Sequence, residues 1–175
     1  ALTTDMVSRA GAGVPLHDVT HIPAPYMFPE LDTVAYMEQI LTDDHSGVEK
    51  PAALVLETIQ AEGGIFPFDF EWLKRIEDFC RRHEILLIVD DIQVGCGRSG
   101  SFFSFEKAGI YPDMVVLSKS IGGYGLPMAL LLTKRELDIG KPGEHNGTSR
   151  GNQMAFVAAK AAIEYALSVG LYESV

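Results

Sequence analysis

Three short runs along the chain are apolar without alternation: Ala52–Leu56, Ile85–Val89 and Met114–Leu117. Strands buried on both faces of a parallel sheet have this pattern. Met128–Leu132 is a fourth run of the same kind and predicts a further buried strand. Helical spacing appears between and around them. Leu31, Val34, Ala35, Met37, Ile40 and Leu41 predict a helix over 31–42. Trp72, Ile76, Phe79, Cys80 and His83 form one apolar stripe over Phe70–His83, with Asp69 as N-cap and Lys74, Arg75, Arg81 and Arg82 facing solvent or flanking the stripe. Asn152–Val169 is an alanine-rich helix that must pack closely against something. Strand, helix and strand over 52–89 make a right-handed βαβ unit. Residues 1–30 hold Gly11, Gly13, Pro15, Pro23, Pro25 and Pro29; they predict loop, with Val14–Ile22 the one plausible extended piece. The polar stretch 43–50 reads as a surface connection and 58–68 as a loop. The fold class is α/β, a mostly parallel sheet flanked by helices.

Composition narrows the field. The chain has 175 residues, 47% apolar and 22% charged, the profile of one globular domain. No apolar run reaches the roughly 18 residues of a membrane span, and no secretory signal is visible. The formal net charge of −10 argues against nucleic acid and anionic membranes as partners. Cys80 and Cys96 have neither metal-ligand spacing nor the numbers for a disulfide framework, so they read as reduced thiols of a cytoplasmic protein. His17 and His21 lie four apart, but Pro15 and Pro23 argue against a helix there; they read as structural or surface residues, and no metal site is expected.

The chemistry lies where the apolar runs stop. The first ends in Glu57, the second in Asp90 and Asp91, the third in Ser118, Lys119 and Ser120. Open α/β sheets bind ligands outside the carboxyl ends of their strands, so acids and an amine reach one rim. A buried Asp90 needs a cation. A lysine half-buried at a strand end readily becomes a nucleophilic amine. Two readings follow: Lys119 is a salt-bridge partner or a surface residue, or both residues serve pyridoxal phosphate. That cofactor offers an aldehyde to the lysine and a ring nitrogen that an aspartate keeps protonated. The stretch GCGRSG, Gly95–Gly100, opens no helix and is a weak phosphate-loop signal. It reads instead as an active-site loop needing positive φ, packed down by Phe102, Phe103 and Phe105. Gly122, Gly123, Gly125 and Pro127 make a flexible turn after the lysine. A phospho-receiver or magnesium-dependent fold would also end one strand in two aspartates and a later one in lysine. It needs a third acid at an intervening strand end, and only Glu106 and Asp113 are on offer, neither after an apolar strand. A Walker-type site is excluded by the missing G-x-x-x-x-G-K.

The stretches IVDDIQVGCGRSG and FFSFEKAGIYPDMVVLSKSIGGYGLP resemble the signature of the class III aminotransferases, fold-type I enzymes of pyridoxal phosphate. The resemblance runs from about Gly11 to about Tyr165. It implies that Lys119 is the Schiff-base lysine and proton shuttle, that Asp90 pairs with the pyridinium nitrogen, and that Gln93 hydrogen-bonds the ring hydroxyl. Asp91 stands where many relatives have glutamate; supporting the site residues from behind, or a helix-like cap, is its plainer use. Glu57 and Glu62 fall in LETIQAEGG, similar to the family's E-P-I-Q-G-E-x-G, with Thr58 and Ala61 where the family often has Pro and Gly. Glu62 corresponds to a switch that pairs with an arginine of the small domain and releases it for a dicarboxylate. Thr148, in GEHNGTSRGN, matches a threonine reaching the cofactor phosphate across a homodimer interface; otherwise it is a turn residue. Arg150 is a substrate or phosphate contact, or a surface arginine.

The resemblance further implies amino-acid and 2-oxo-acid substrates. The paired acids and GEHNGTSRGN favour exchange between glutamate and L-aspartate 4-semialdehyde, giving L-2,4-diaminobutyrate and 2-oxoglutarate. Ornithine or 4-aminobutyrate as donor, or a fragment without catalysis, are the alternatives. Against the family, residues 1–175 look like the central part of the cofactor-binding large domain. An N-terminal segment and a C-terminal small domain are expected to be lacking, and with them the substrate-binding arginine; Arg98 and Arg150 are the arginines at the presumed rim.

Overall fold

The apolar runs form one sheet. The computed structural model describes residues 2–13, 17–148 and 150–175. In chain order its elements are helices α1 (Met6–Arg9) and α2 (Thr33–Thr42), strand β1 (Ala53–Leu56), a small hairpin of β2 (Ile59–Gln60) and β3 (Phe66–Pro67), helix α3 (Phe70–Arg82), strands β4 (Leu86–Asp90), β5 (Met114–Leu117) and β6 (Leu130–Thr133), and helix α4 (Gln153–Ser168). The main sheet has the order β1-β4-β5-β6. β1, β4 and β5 run parallel, and β6 returns antiparallel beside β5. This is the expected mostly parallel α/β sheet.

The helices start where side chains can cap them. Asp32 accepts from the Val34 and Ala35 N–H groups at 3.1 Å, Asp69 from those of Glu71 and Trp72, and Asn152 from those of Met154 and Ala155. Each such cap satisfies N–H groups of the first turn that have no partner within the helix. Leu73, Ile76, Phe79 and Cys80 are the buried face of α3 and belong to one core with Leu87, Val89, Val115 and Leu117 of the sheet. Leu73 takes the deep position that the stripe gives to Trp72. The indole stays half-buried and donates to Thr33 Oγ1 at 2.8 Å.

Several expectations need correction. β1 and β6 are not buried on both faces: Val55 is 44% exposed and Leu131 59%. An apolar run reports the character of its side chains, not whether a neighbour covers each face, and these two strands are the sheet's edges. Arg81 does not simply face solvent. It pairs with Asp113, a buried acid just before β5 that also takes Lys134 from the end of β6. The loop read over 58–68 contains the β2–β3 hairpin. In the breaker-rich start, α1 is a single capped turn. Of the extended piece at Val14–Ile22, residues 14–16 lie outside the described residues, and 17–22 form turn and coil. Among the described residues no helix is long and apolar enough to cross a membrane.

Candidate active site

Strand register assembles the rim. Leu56 lies beside Val89, and Asp90 beside Val116. The residue after Leu56 is therefore next to the residue after Val89, which sets Glu57 beside Asp90, one strand spacing of about 4.8 Å away. Side chains alternate along strands, so each strand end delivers two kinds of residue. Val55 and Glu57 share a face with Ile88 and Asp90. Leu56 and Thr58 share the opposite, core face with Val89 and Asp91. Thr58 and Asp91 are accordingly buried, while Glu57 and Asp90 are half-buried.

Lys119 arrives by a different device. On the period of β5 it would share the buried face of Val115 and Leu117. Instead Ser118 is fully extended, with its Oγ donating to Met128 O at 2.8 Å, and Lys119 takes a left-handed φ of 49° at the start of a 3-10 turn, Lys119–Gly122. The side chain swings out of the core. Lys119 is exposed, not half-buried, and its Nζ donates to Gln93 Oε1. The turn is backed by α4. A Cβ at Gly123, where φ is 68°, would lie 3.0 Å from Ala162 Cβ and 3.2 Å from Ala158 O. The alanines of α4 are what allow this approach.

Gln93 sits in the turn after β4. Asp90 Oδ1 accepts from Ile92 N–H at 3.1 Å, and Asp91 O from Gly95 N–H at 3.1 Å, so the residues on either side of Gln93 are tied back to the strand end. The GCGRSG loop follows, with positive φ at Cys96, Gly97 and Gly100 as expected. Gly95 serves by close approach instead: a Cβ there would lie 2.5 Å from Asp91 Oδ2. The Phe103 and Phe105 rings stack beneath the loop, and Phe102 meets Phe103 edge-on. Left-handed backbone in a non-glycine residue is costly and clusters at functional sites. Of the four described residues with it, Ile65, Cys96 and Lys119 lie on the rim loops, and Glu84 does not.

The charges at the rim act on one another. Burial pushes the Glu57 carboxyl up; the Ala61 N–H at 3.3 Å opposes this, the charges of Asp90 and Glu62 add to it, and Lys119 opposes it. Glu62 is exposed in the turn between β2 and β3. Burial also pushes up Asp91, with Ser104 opposing and Asp90 and Glu106 adding. Burial, helped by Asp91, raises the Cys96 thiol to about 11, so it is no ready nucleophile. Among the described residues Asp90 meets no cation in an ion pair, and Lys119 bonds Gln93 rather than Asp90. The salt-bridge reading of this pair therefore finds no support in the geometry. Sequence reasoning also gave Asp90 the buried carboxylate; the fully buried one is Asp91.

The other expected residues are less tightly placed. Thr148 and Arg150 are exposed in the loop before α4. Among the described residues no hydrogen bond joins either to Lys119, Asp90 or Gln93. Arg98 is at the rim: its Nη2 donates to Ser120 Oγ at 3.2 Å, next to Lys119. No group of three or more metal-ligating side chains is assembled among the described residues. What the rim offers is an amine, a carboxylate without a cation, and an amide. Such a set suits a ring that carries an aldehyde, a basic nitrogen and a hydroxyl.

The sequence profile described as Aminotransferase class-III matches residues 1–175. Among curated relatives, diaminobutyrate–2-oxoglutarate transaminase of Sporosarcina pasteurii is 58% identical over 167 residues, which cover 95% of this chain and 39% of that protein. Its counterpart in Nocardia farcinica is 54% identical over 175 residues, with 99% and 40% covered. Among solved structures, an (S)-enantioselective omega-transaminase from Thermomicrobium roseum matches with a TM-score of 0.86 at 26% identity, covering 98% of this chain and 41% of that one. An ornithine aminotransferase from Toxoplasma gondii matches with a TM-score of 0.72 at 32% identity, covering 82% and 33%. The chain thus spans about two fifths of the length of the curated relatives it matches.

Proposed function

The chain belongs to the class-III aminotransferase family, and from that premise we propose that it carries the cofactor-anchoring rim of a pyridoxal-phosphate-dependent transaminase. The observation that carries this reading is the delivery of Lys119 and Asp90 to one rim, not paired with each other, with Gln93 bonded to the lysine. The donor set fits the cofactor. Lys119 would anchor its aldehyde, Asp90 would hold a proton on the ring nitrogen, and the Gln93 amide would donate to the ring hydroxyl. When bound, the cofactor would supply an electron sink for a carbanion at the amino-acid Cα. Lys119, as a free amine, would carry the proton to and from that carbon. The receiver-type alternative loses ground, because Asp113 lies at the start of β5, away from this rim, and is taken up by Arg81 and Lys134.

The remaining roles rest on resemblance. Glu62, on its exposed hairpin, would be the switch that pairs with an arginine and releases it for a dicarboxylate; Glu57 would shape the same rim. Thr148 would serve the phosphate site of a neighbour in a homodimer. A substrate carboxylate calls for the planar fork of an arginine, for which Arg98 and Arg150 are this chain's candidates. Identities of 54–58% with diaminobutyrate–2-oxoglutarate transaminases favour transfer between glutamate and L-aspartate 4-semialdehyde, the transamination of ectoine synthesis. Ornithine and 4-aminobutyrate are the competing donors. The free thiols Cys80 and Cys96 suit a reducing, cytoplasmic setting.

The test is chemical. Borohydride reduction in the presence of pyridoxal phosphate should fix the cofactor on Lys119, and Lys119→Ala should abolish the label. A label on Lys107 or Lys134 would overturn the assignment. Diaminobutyrate, ornithine and 4-aminobutyrate, assayed side by side with 2-oxoglutarate in the full polypeptide, decide the substrate; a preference for ornithine would change the substrate and leave the chemistry.

A further inference from the structure

Behind the rim, on its core face, lies a polar link that the proposed chemistry does not use. Asp91 is 0% exposed. Its N–H donates to Val116 O at 2.9 Å, fixing the Asp90–Asp91 peptide to β5. Its Oδ2 accepts from Ser104 N–H at 3.2 Å. The Ser104 hydroxyl is bonded to that of Thr58, and both residues are buried. Thr58 directly follows Glu57, and its carbonyl accepts from Phe68 N–H at 3.0 Å, closing the hairpin that carries Glu62. Gly95 completes the arrangement. A Cβ there would lie 2.5 Å from Asp91 Oδ2 and 2.7 Å from Asp91 O, so no larger residue fits the tight turn that holds Gln93. Hydrogen bonds between buried polar groups are stronger than the same bonds in water and resist displacement of the chain that carries them. This link joins three separate pieces of chain: the end of β1, the end of β4 and the loop after GCGRSG.

We propose that Asp91 is a positioning residue, which through Ser104 and Thr58 locks the loops that carry Glu57, Asp90 and Gln93 into register with Lys119. The proposal rests on the cofactor reading above. Its logic is the strand period: in Glu57–Thr58 and Asp90–Asp91 the first residue faces the ligand side, and the second, one step on, faces the core and holds the first in place. What Asp91 supplies to the link is an acceptor, Oδ2, for the Ser104 N–H. Among the described residues no cation meets it, and Oδ1 has no donor. An amide of the same shape therefore replaces it, and a methyl group does not.

The experiment uses the full polypeptide and compares Asp91→Ala, Asp91→Asn and Thr58→Val with the unsubstituted protein. Three readouts are taken on each: melting temperature, the dissociation constant of pyridoxal phosphate, and the pH midpoint of the bound cofactor's visible absorbance. Asp91→Ala is expected to weaken cofactor binding about tenfold, the loss of a single hydrogen bond's worth of free energy, and to move the pH midpoint, because Asp90 would no longer be held in place to keep a proton on the ring nitrogen. Asp91→Asn should restore both. Thr58→Val should act in the same direction, and the Asp91→Ala/Thr58→Val pair should be less than additive, because both cut one link. Thr58→Val preserves shape and carries the test should Asp91→Ala not fold. A lower melting temperature with unchanged midpoint and affinity would overturn the proposal and leave Asp91 merely structural. Full additivity would equally overturn it. If the unsubstituted protein takes no label on Lys119, the cofactor reading itself has failed, a result distinct from either.

Discussion

Substituting Asp113 should separate the parts of the buried junction that sets β5, the strand that leads to Lys119. Asp113 is 5% exposed. Its oxygens accept from Arg81 Nη1 at 2.7 and 2.9 Å, from Lys134 Nζ at 2.7 Å and from the Leu87 N–H at 2.8 Å. The Arg81 and Lys134 side chains are 39% and 37% exposed, so water takes over much of their solvation when the carboxylate is lost. Each pair is then worth about 0.5–1 kcal/mol. The Leu87 N–H has no such recourse, and leaving it unpaired in the core costs about 1–3 kcal/mol. Asp113→Ala should therefore destabilise by about 2–5 kcal/mol. Asp113→Asn, which keeps an acceptor for Leu87, should cost about 1–2 kcal/mol. Urea denaturation gives both values, as shifts in midpoint at constant slope. The pH dependence is fixed by sign. Burial alone would raise this carboxyl, but Lys134, the Leu87 N–H and Arg81 together hold it below the usual carboxylate range. The unfolded chain thus takes up the proton first. Asp113's contribution is complete above the ordinary carboxylate pKa and fades as pH falls toward the lowered one. The gap between the unsubstituted protein and Asp113→Asn should shrink below about pH 4. Equal costs for Ala and Asn, or a gap that widens in acid, would refute the reasoning.

Two further expectations concern the rim. Asp90→Asn should still bind pyridoxal phosphate yet lose turnover by several orders of magnitude, since an amide cannot keep the ring nitrogen protonated; unchanged turnover in a steady-state assay would make Asp90 structural. Glu57→Gln should leave stability unchanged in acid and raise it at neutral pH. Burial and the neighbouring acids lift the folded-state pKa, so the native state binds more protons than the unfolded chain between the ordinary value and the raised one, and stability falls as pH rises through that window. Denaturant titrations on either side of the window would show a difference that does not change if the argument is wrong.

Most of the sheet and the helices could be read from the chain, because burial and capping leave local traces. Met114–Leu117 is found residue for residue, and Asp69 marks the start of α3. What could not be read depends on neighbours distant in sequence. The Thr58–Ser104 bond spans 46 positions. Two-residue strands such as β2 and β3 are too short for periodicity to show. The exposure of β1 and β6 is set by what lies beside them, which an apolar run does not encode. The burial of Asp91 was legible in principle: it shares parity with Leu87 and Val89, both fully buried. The same rule applied to Lys119 gives the wrong face, because the left-handed turn after Ser118 breaks the period. Asp90 and Lys119 were singled out by their place after apolar strands and Gln93 by resemblance; that the lysine bonds the glutamine rather than the aspartate required coordinates.

The rim is arranged against the stability of the isolated fold. Two strands end in acids side by side, a third acid on the hairpin adds its charge, and a fourth is buried beneath them with one oxygen that meets no donor among the described residues. Burial first, and then the charges of their neighbours, push the Glu57 and Asp91 carboxyls up and disfavour their ionised state. A left-handed lysine at the strand end adds local strain of about 1–3 kcal/mol. None of these groups belongs to the apolar core, in which Leu73, Ile76, Leu87, Val89 and Leu117 pack together. Departures from local consistency of this kind collect where a protein binds or reacts. The half-buried acids turn to the rim that Lys119 shares, and the polar groups that brace them turn to the core. A ligand that brings a protonated ring nitrogen to Asp90 and an aldehyde to Lys119 would relieve the repulsion and use the strained amine at once. That complementarity, more than any single residue, ties this fold to its proposed chemistry.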